Sequence, residues 1–232
     1  MEKFGYTTSG PRKNNEDFYA FEHIGDADIF CVADGVGGSS CGEFASKFSV
    51  NQFIEDIKSS KSPNLKLVLQ KVHEKLVIES FNRKECKGMA TTFTAAFIQN
   101  NKAQLVHTGD SRLYLLRGNG LKQLTEDHTE VRRLLKEGLL TREASQNYSR
   151  RNVLDSAVGI DKELMITYLS FDCNLRDRII IATDGFHGVF SKVELRDLSL
   201  VNRDFDNLCN VLVNQLEKKI LTDNATFILI EI

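Results

Sequence analysis

Ile29-Phe30-Cys31-Val32-Ala33-Asp34-Gly35-Val36-Gly37-Gly38 is an apolar run that ends abruptly in a carboxylate and a glycine-rich turn. A run of this length, bounded by turn residues, reads as a core strand. Asp34 then stands where the strand leaves the core, and the glycines let the backbone bend closely around whatever that carboxylate holds. The expectation is that Asp34 and Gly35 hold a pair of metal ions and that the rest of the chain presents them. A second stretch repeats the pattern, with Ile179-Ile180-Ile181-Ala182 running through Thr183 into Asp184-Gly185.

Outward from these stretches the chain alternates strands with paired helices. Residues 2–8 and 17–24 read as strands around a turn at Ser9-Gly10-Pro11, separated by the polar cluster Arg12-Lys13-Asn14-Asn15-Glu16-Asp17. Phe44, Phe48, Val50, Phe53, Ile54 and Ile57 predict a helix from about Gly42 to Lys58. Ser62-Pro63 reads as the start of a second helix, because serine caps free N–H groups and proline lacks one. Its stripe is Leu65, Val68, Leu69, Val72 and Leu76, and His73, off that stripe, is expected in solvent.

Strands follow at 90–98, 102–108 and 111–117, the last two around Gly109-Asp110, and Gly118-Asn119-Gly120 opens a hairpin. Residues 125–163 break the rhythm, with one short helix around Val131, Leu134 and Leu135 that Gly138 ends. A long irregular insertion in a compact domain is more often functional than accidental. Strands at 164–169 and 178–183, a capping box at Ser191–Glu194, a helix after Asp204 and a last strand from Ala225 complete the chain. Helices that come in pairs exclude strict βαβ alternation. The pattern predicts an α+β fold of two mainly antiparallel sheets with a helix pair on each outer face.

The 232 residues suffice for one sizeable core, and one domain over 1–232 is expected. A net charge of −2 with no basic run argues against nucleic acid as a partner. The N-terminal Met1-Glu2-Lys3-Phe4-Gly5-Tyr6 has no apolar signal core, and no stretch is long enough to span a bilayer. A cytoplasmic, monomeric protein is the expectation, with no membrane partner. Cys31, Cys41, Cys86, Cys173 and Cys209 are odd in number and never spaced as C-x-x-C. That argues against a disulfide framework and against structural zinc.

Asp34, Asp110, Asp184 and Asp223 all stand beside a strand and next to a residue that favours tight turns. Each alone is turn chemistry. Converging, the four would repel one another, and divalent cations resolve that cost. Oxygen-only ligands favour Mg²⁺ or Mn²⁺. Two such ions would activate a bridging hydroxide and clamp a phosphoryl oxygen during in-line attack. The planar fork of Arg12, four residues before Glu16, can hold two phosphate oxygens. Phosphomonoester hydrolysis without a covalent intermediate is the chemistry implied.

Five segments appear in the order found in metal-dependent protein phosphatases of the type 2C class, which the chain resembles over nearly its whole length. They are Arg12–Asp17, Val32–Gly38, Gly109-Asp110-Ser111-Arg112, Ala182-Thr183-Asp184-Gly185 and Asp223-Asn224-Ala225-Thr226. Leu139–Ala144 and Arg151-Asn152-Val153-Leu154 resemble the flap of the bacterial branch, which places a flap at about 125–163. The resemblance implies an αββα sandwich and a binuclear Mn²⁺/Mg²⁺ centre acting on phosphoserine and phosphothreonine in proteins, including a kinase or its substrates. Asp34 would bridge both metals, Gly35 would offer its carbonyl, and Asp184 and Asp223 would complete the first site. Glu16, supported by Asp17, would serve the second, Asp110 a third and weaker ion, and Arg12 the phosphate.

Some positions depart from the family pattern. Val36 stands where some relatives carry a histidine that could act as general acid, so the proton must come from water. Ala90 replaces a glycine, Tyr148-Ser149 stands for His-Pro, and Asp155-Ser156 for Thr-Arg. His187, three residues after Asp184, reads as an ordinary loop histidine. Two other functions remain open on the sequence: a catalytically weak phosphoprotein-binding regulator of a kinase, and a small-molecule phosphatase on the same centre.

Overall fold

The computed structural model describes residues 1–37, 40–60 and 62–232, so Gly38 of the glycine turn lies outside the described residues. In chain order, β1 (Glu2–Thr8), β2 (Asp17–Ile24) and β3 (Ala27–Val36) lead into helices α1 (Ser40–Lys58) and α2 (Leu65–Asn82). The middle holds β4 (Ala90–Thr91), β5 (Phe93–Gln99), β6 (Lys102–Thr108), β7 (Arg112–Arg117) and β8 (Gly120–Gln123). Short helices α3 (Glu130–Lys136) and α4 (Arg142–Gln146) occupy the insertion. The chain then forms β9 (Thr167–Asp172), β10 (Arg178–Ala182), α5 (Asp184–His187), α6 (Lys192–Val201), α7 (Phe205–Leu216) and β11 (Ala225–Glu231).

One sheet runs β1-β11-β10-β7-β8 and the other β2-β3-β5-β6-β9, with β4 beside β3. Their strands pair antiparallel. The continuous apolar strands follow from burial on both faces. Along β3, Ile29, Cys31 and Ala33 face α1 and α2, while Phe30 and Val32 pack between the sheets. Along β10, Ile180 and Ala182 face α6 and α7, while Ile179 and Ile181 meet Phe30 and Val32 in the central layer. This is the expected αββα sandwich.

The two sheets exchange chain at one end, and that is where the carboxylates gather. β1 and β2 lie in different sheets, so the turn expected between them is a crossover carrying Arg12 and Glu16. β6 and β7 also lie in different sheets, and Gly109-Asp110 carries that second crossover. Gly109 has φ +98°, and a Cβ there would stand 2.6 Å from Thr92 Cβ.

Several expectations need correction. Cys41 and Cys86 form a disulfide, with Cα atoms 5.3 Å apart. The α1–α2 hairpin brings together two cysteines separated by 45 residues, which local spacing cannot reveal. β3 does not stop at Asp34, because Gly35 and Val36 pair with Thr91 and Ala90 of β4. The cap of α2 is Asn64, whose side chain accepts from Leu67 N, rather than Ser62. His73 is buried, and its Nδ1 accepts from Gly159 N at 3.2 Å. The far end of the insertion therefore reaches into the core: Ala157 and Val158 are buried, and Val158 bridges Thr91. β9 begins at Thr167 rather than 164, and Thr141 caps a helix, α4, that no apolar stripe announced.

Candidate metal centre

Backbone register sets the site. Asp17 and Asp34 are direct partners across β2 and β3. Asp184 follows Ala182, which pairs with Phe227 of β11, and Asp223 lies just before that strand. Asp34 is gripped by its backbone: its N–H donates to Thr92 Oγ1 at 2.9 Å, and its carbonyl accepts from Thr92 N at 2.8 Å. Thr91 Oγ1 donates to the same carbonyl at 2.9 Å.

The glycines beside the aspartates are required by close approach. A Cβ on Gly35 would collide with the Gly42 carbonyl at the start of α1. A Cβ on Gly185 would collide with the Asn224 carbonyl. A Cβ on Gly42 would stand 2.5 Å from Glu16 Oε2, so the Glu16 carboxylate rests on the first turn of α1.

Asn224, which the sequence presents as simple turn chemistry, is a buried hub. Its Oδ1 accepts from Glu16 N at 2.8 Å, and its Nδ2 donates to the Ser9 and Asn14 carbonyls, both at 2.9 Å. It thereby fixes the segment that carries Arg12 and Glu16. Arg12 Nη2 donates to Asp223 Oδ2 at 2.7 Å, which ties the phosphate-clamp candidate directly to a ligand candidate.

Among the described residues no three His, Cys, Asp or Glu side chains stand as a ready metal-binding group. The fit of a cation is judged instead on charge. Asp34 is held well above the ordinary carboxylate range, first by burial and then by Asp17, Asp184, Asp110 and Asp223. Burial, reinforced by Asp184 and Asp223 against the hydrogen bond from Thr183, pushes Asp17 up to about 7. Asp110 rises to about 7 through burial and then Asp184. Burial and then Asp223 also raise Asp184 and Glu16. Thr183 Oγ1 donates to Asp17 Oδ2 at 2.8 Å, yet Asp17 Oδ1 is buried without a hydrogen-bond partner. An acidic nest with an orphaned carboxylate oxygen is short of positive charge, and hard divalent cations match an all-oxygen donor set.

The structure also recruits residues that the motifs did not single out. His187 lies at the site after all: its Nε2 donates to the Asp110 carbonyl at 3.0 Å. Burial lowers its pKa to about 4, so the neutral ring positions the Asp110 crossover and is not an acid at neutral pH. Arg112, two residues past Asp110, pairs through both ends of its fork with Asp127, at 2.9 Å from Nε and 2.6 Å from Nη2. Position in the Gly-Asp-Ser-Arg segment was the one signal for Arg112, and nothing local pointed to Asp127. Val36 is exposed and offers no proton.

The sequence profile of the protein phosphatase 2C family matches residues 7–148. The chain belongs to that family. Relatives of this phosphatase 2C chain cover almost all of it. The serine/threonine phosphatase stp of Listeria welshimeri is 29% identical over 229 residues, 95% of this chain and 91% of that protein. Protein phosphatase PhpP of Streptococcus pneumoniae is 28% identical over 211 residues, 85% of this chain and 84% of that protein. Two solved structures share the fold. Serine/threonine phosphatase Stp1 from Staphylococcus aureus has a TM-score of 0.91 at 24% identity, covering 100% of this chain and 95% of that chain. The catalytic domain of PstP in complex with two manganese ions has a TM-score of 0.83 at 24% identity, covering 98% and 96%.

Proposed function

We propose that this phosphatase 2C chain hydrolyses phosphoserine and phosphothreonine in proteins, using divalent cations held by Asp34, Gly35, Asp184, Asp223 and Glu16. It is a protein serine/threonine phosphatase, as its named relatives are. The observation that carries the metal assignment is the acidic nest around Asp34, together with the unpartnered Asp17 Oδ1. When bound, two Mn²⁺ or Mg²⁺ ions supply charge neutralisation and an activated water for in-line attack on phosphorus. Asp110, close enough to Asp184 to be raised by its charge, is suited to a third and weaker ion.

The remaining work falls to the chain. Arg12 is exposed beside Asp223, and its fork is placed to exchange that carboxylate for phosphate oxygens of the substrate. Asn224 and Gly42 hold Glu16, while Thr91 and Thr92 fix Asp34. Since Val36 has no proton to give, solvent water protonates the leaving alkoxide. Residues 1–232 act as one catalytic unit with 125–163 as its flap, and the substrates are phosphoproteins, among them a serine/threonine kinase or its targets.

The test is hydrolysis of a phosphothreonine peptide by chelator-treated protein with and without added Mn²⁺ or Mg²⁺, with Asp34→Asn as control. Activity should require the ion and fall at least about a thousandfold in the variant, a loss of about 4 kcal/mol of transition-state stabilisation. Undiminished turnover in excess chelator, or in Asp34→Asn, would overturn the assignment.

A further inference from the structure

A cavity of about 600 Å³ opens beside the carboxylate end between the flap and α6. Arg112, Asp127, Glu126, Arg132, Arg151 and Lys192 supply its charge, four cations against two carboxylates. This is a local excess, since the whole chain carries −2. The two carboxylates are already matched: Asp127 holds Arg112 at 2.6 Å, and Glu126 holds Arg132 at 2.9 Å. Among the described residues, neither the Arg151 nor the Lys192 side chain has an ion-pair partner.

Two uncompensated cations facing a cavity attract an anion. Burial, followed by the positive charge of Arg112, holds the Lys192 ammonium below its ordinary range, and a bound anion would relieve that repulsion. The cavity wall adjoins the candidate metal centre through Arg112 and Asp127. Arg112 lies two residues beyond Asp110, and Asp127 is near enough to raise the Asp110 pKa. A substrate chain with its phosphate at the metal centre would therefore carry its flanking residues past this opening.

We propose that the cavity is a specificity subsite in which Lys192, with Arg151, receives an acidic group flanking the phosphorylated residue of the substrate. The shared chemistry is a carboxylate or a second phosphate, so acidic or multiply phosphorylated segments are the preferred substrates. Lys192 is a specificity-determining residue that touches the substrate away from the reacting phosphorus. The inference rests on the phosphatase reading, and the experiment separates the two.

Lys192→Glu reverses the charge at the first residue of α6, where a carboxylate suits the helix N-terminus, so folding is not at risk. Wild type, Lys192→Glu and Lys192→Arg would be assayed with Mn²⁺ on p-nitrophenyl phosphate and on three phosphothreonine peptides. One peptide has neutral flanks, one has glutamates, and one has a non-hydrolysable phosphonate. For Lys192→Glu, KM should rise about fivefold or more on an acidic peptide. On the neutral peptide and on p-nitrophenyl phosphate it should stay unchanged, and Lys192→Arg should behave as wild type. A rise on the glutamate peptide assigns carboxylates, and a rise confined to the phosphonate peptide assigns a second phosphate. Equal KM values across all substrates, or a uniform loss of kcat, would overturn the subsite while leaving the phosphatase reading intact. No hydrolysis of any substrate by wild type would overturn that reading, and the subsite with it.

Discussion

The carboxylate end and the flap meet at Arg112 and Asp127, and they are held in opposite ways. The carboxylate end is fixed by main chain: Asp17 against Asp34 in register, and glycines at 35, 109 and 185 pressed against neighbouring residues. Outward from Thr129 the flap keeps one main-chain tie between α3 and its return, Glu130 N to the Val153 carbonyl, and is otherwise held by side chains. Neither α3 nor α4 contributes a buried residue. Its other ties are surface ion pairs whose arginines stand in solvent, Arg133 to Asp155 at 2.9 Å and Arg150 to Glu130 at 2.8 Å. Exposed pairs are worth little and open easily, whereas a jammed glycine cannot yield without moving a strand. The molecule keeps rigidity for the carboxylates and leaves adaptability to the surface that greets the substrate.

The largest expected effect lies on the rigid side. The Cys41–Cys86 disulfide closes a span of 45 residues and ties the first turn of α1 to the segment entering β4, the partner of Gly35 and Val36. In the chain-entropy picture a loop of that length is worth about 4 kcal/mol. For a chain of this size that corresponds to a Tm lower by about 10 °C after reduction. Calorimetry with and without a phosphine reductant measures it, and a double Cys→Ser variant should match the reduced protein. An unchanged Tm would show that the bond adds nothing to this end, and the contrast would weaken.

The same contrast explains what could be read from the chain. Strand-to-Asp-Gly punctuation is local, so β3, β10 and the aspartates beside them are legible, and two-sided burial makes their apolar runs unmistakable. What the sequence hides depends on distant contact. His73 lies off the α2 stripe, yet Gly159 arrives from 86 residues away to use its Nδ1. Ala157 and Val158 sit in a polar, aperiodic insertion, and they are buried because Val158 bridges Thr91. The disulfide belongs to the same class. Asn224 looks like a turn residue and is a hub, since its three partners come from the other end of the chain.

Charge gives a second and smaller effect, with opposite sign in the two regions. In the folded protein without metal, Asp17 and Asp110 keep their protons up to about 7, against an ordinary value of 3.8. Between those values the folded state binds more protons than the unfolded chain, so stability falls as pH rises through that window. Glu130 runs the other way, drawn down to about 2 from 4.5 by Arg150 and then Tyr148. Its contribution is present above 4.5 and is lost as pH falls toward 2, but the solvent that reaches its Arg150 partner keeps it small. Melting curves in excess chelator should therefore show Tm decreasing from about pH 4 to 7, and Mn²⁺ or Mg²⁺ at pH 7.5 should raise it again. A metal-free Tm that climbs steadily from 4 to 7 would mean that the nest is not the dominant strain.

The smallest effect probes the flap by itself. Glu130 accepts from Tyr148 Oη at 2.5 Å and from Arg150 Nε and Nη2 at 2.9 and 2.8 Å, which joins α3 to the segment after α4. Glu130→Gln removes the charge that gathers both partners but leaves the backbone bond from residue 130 N to the Val153 carbonyl. Tm should stay at the wild-type value, and kcat on p-nitrophenyl phosphate should not move. Trypsin cleavage after Arg150 or Arg151 should become several times faster, because local opening of an exposed segment governs the rate of nicking. Mass spectrometry of the fragments reads it directly. If Tm instead dropped as far as reduction of Cys41–Cys86 drops it, the flap would belong to the cooperative core, and the division between a rigid site and an adaptable surface would fail.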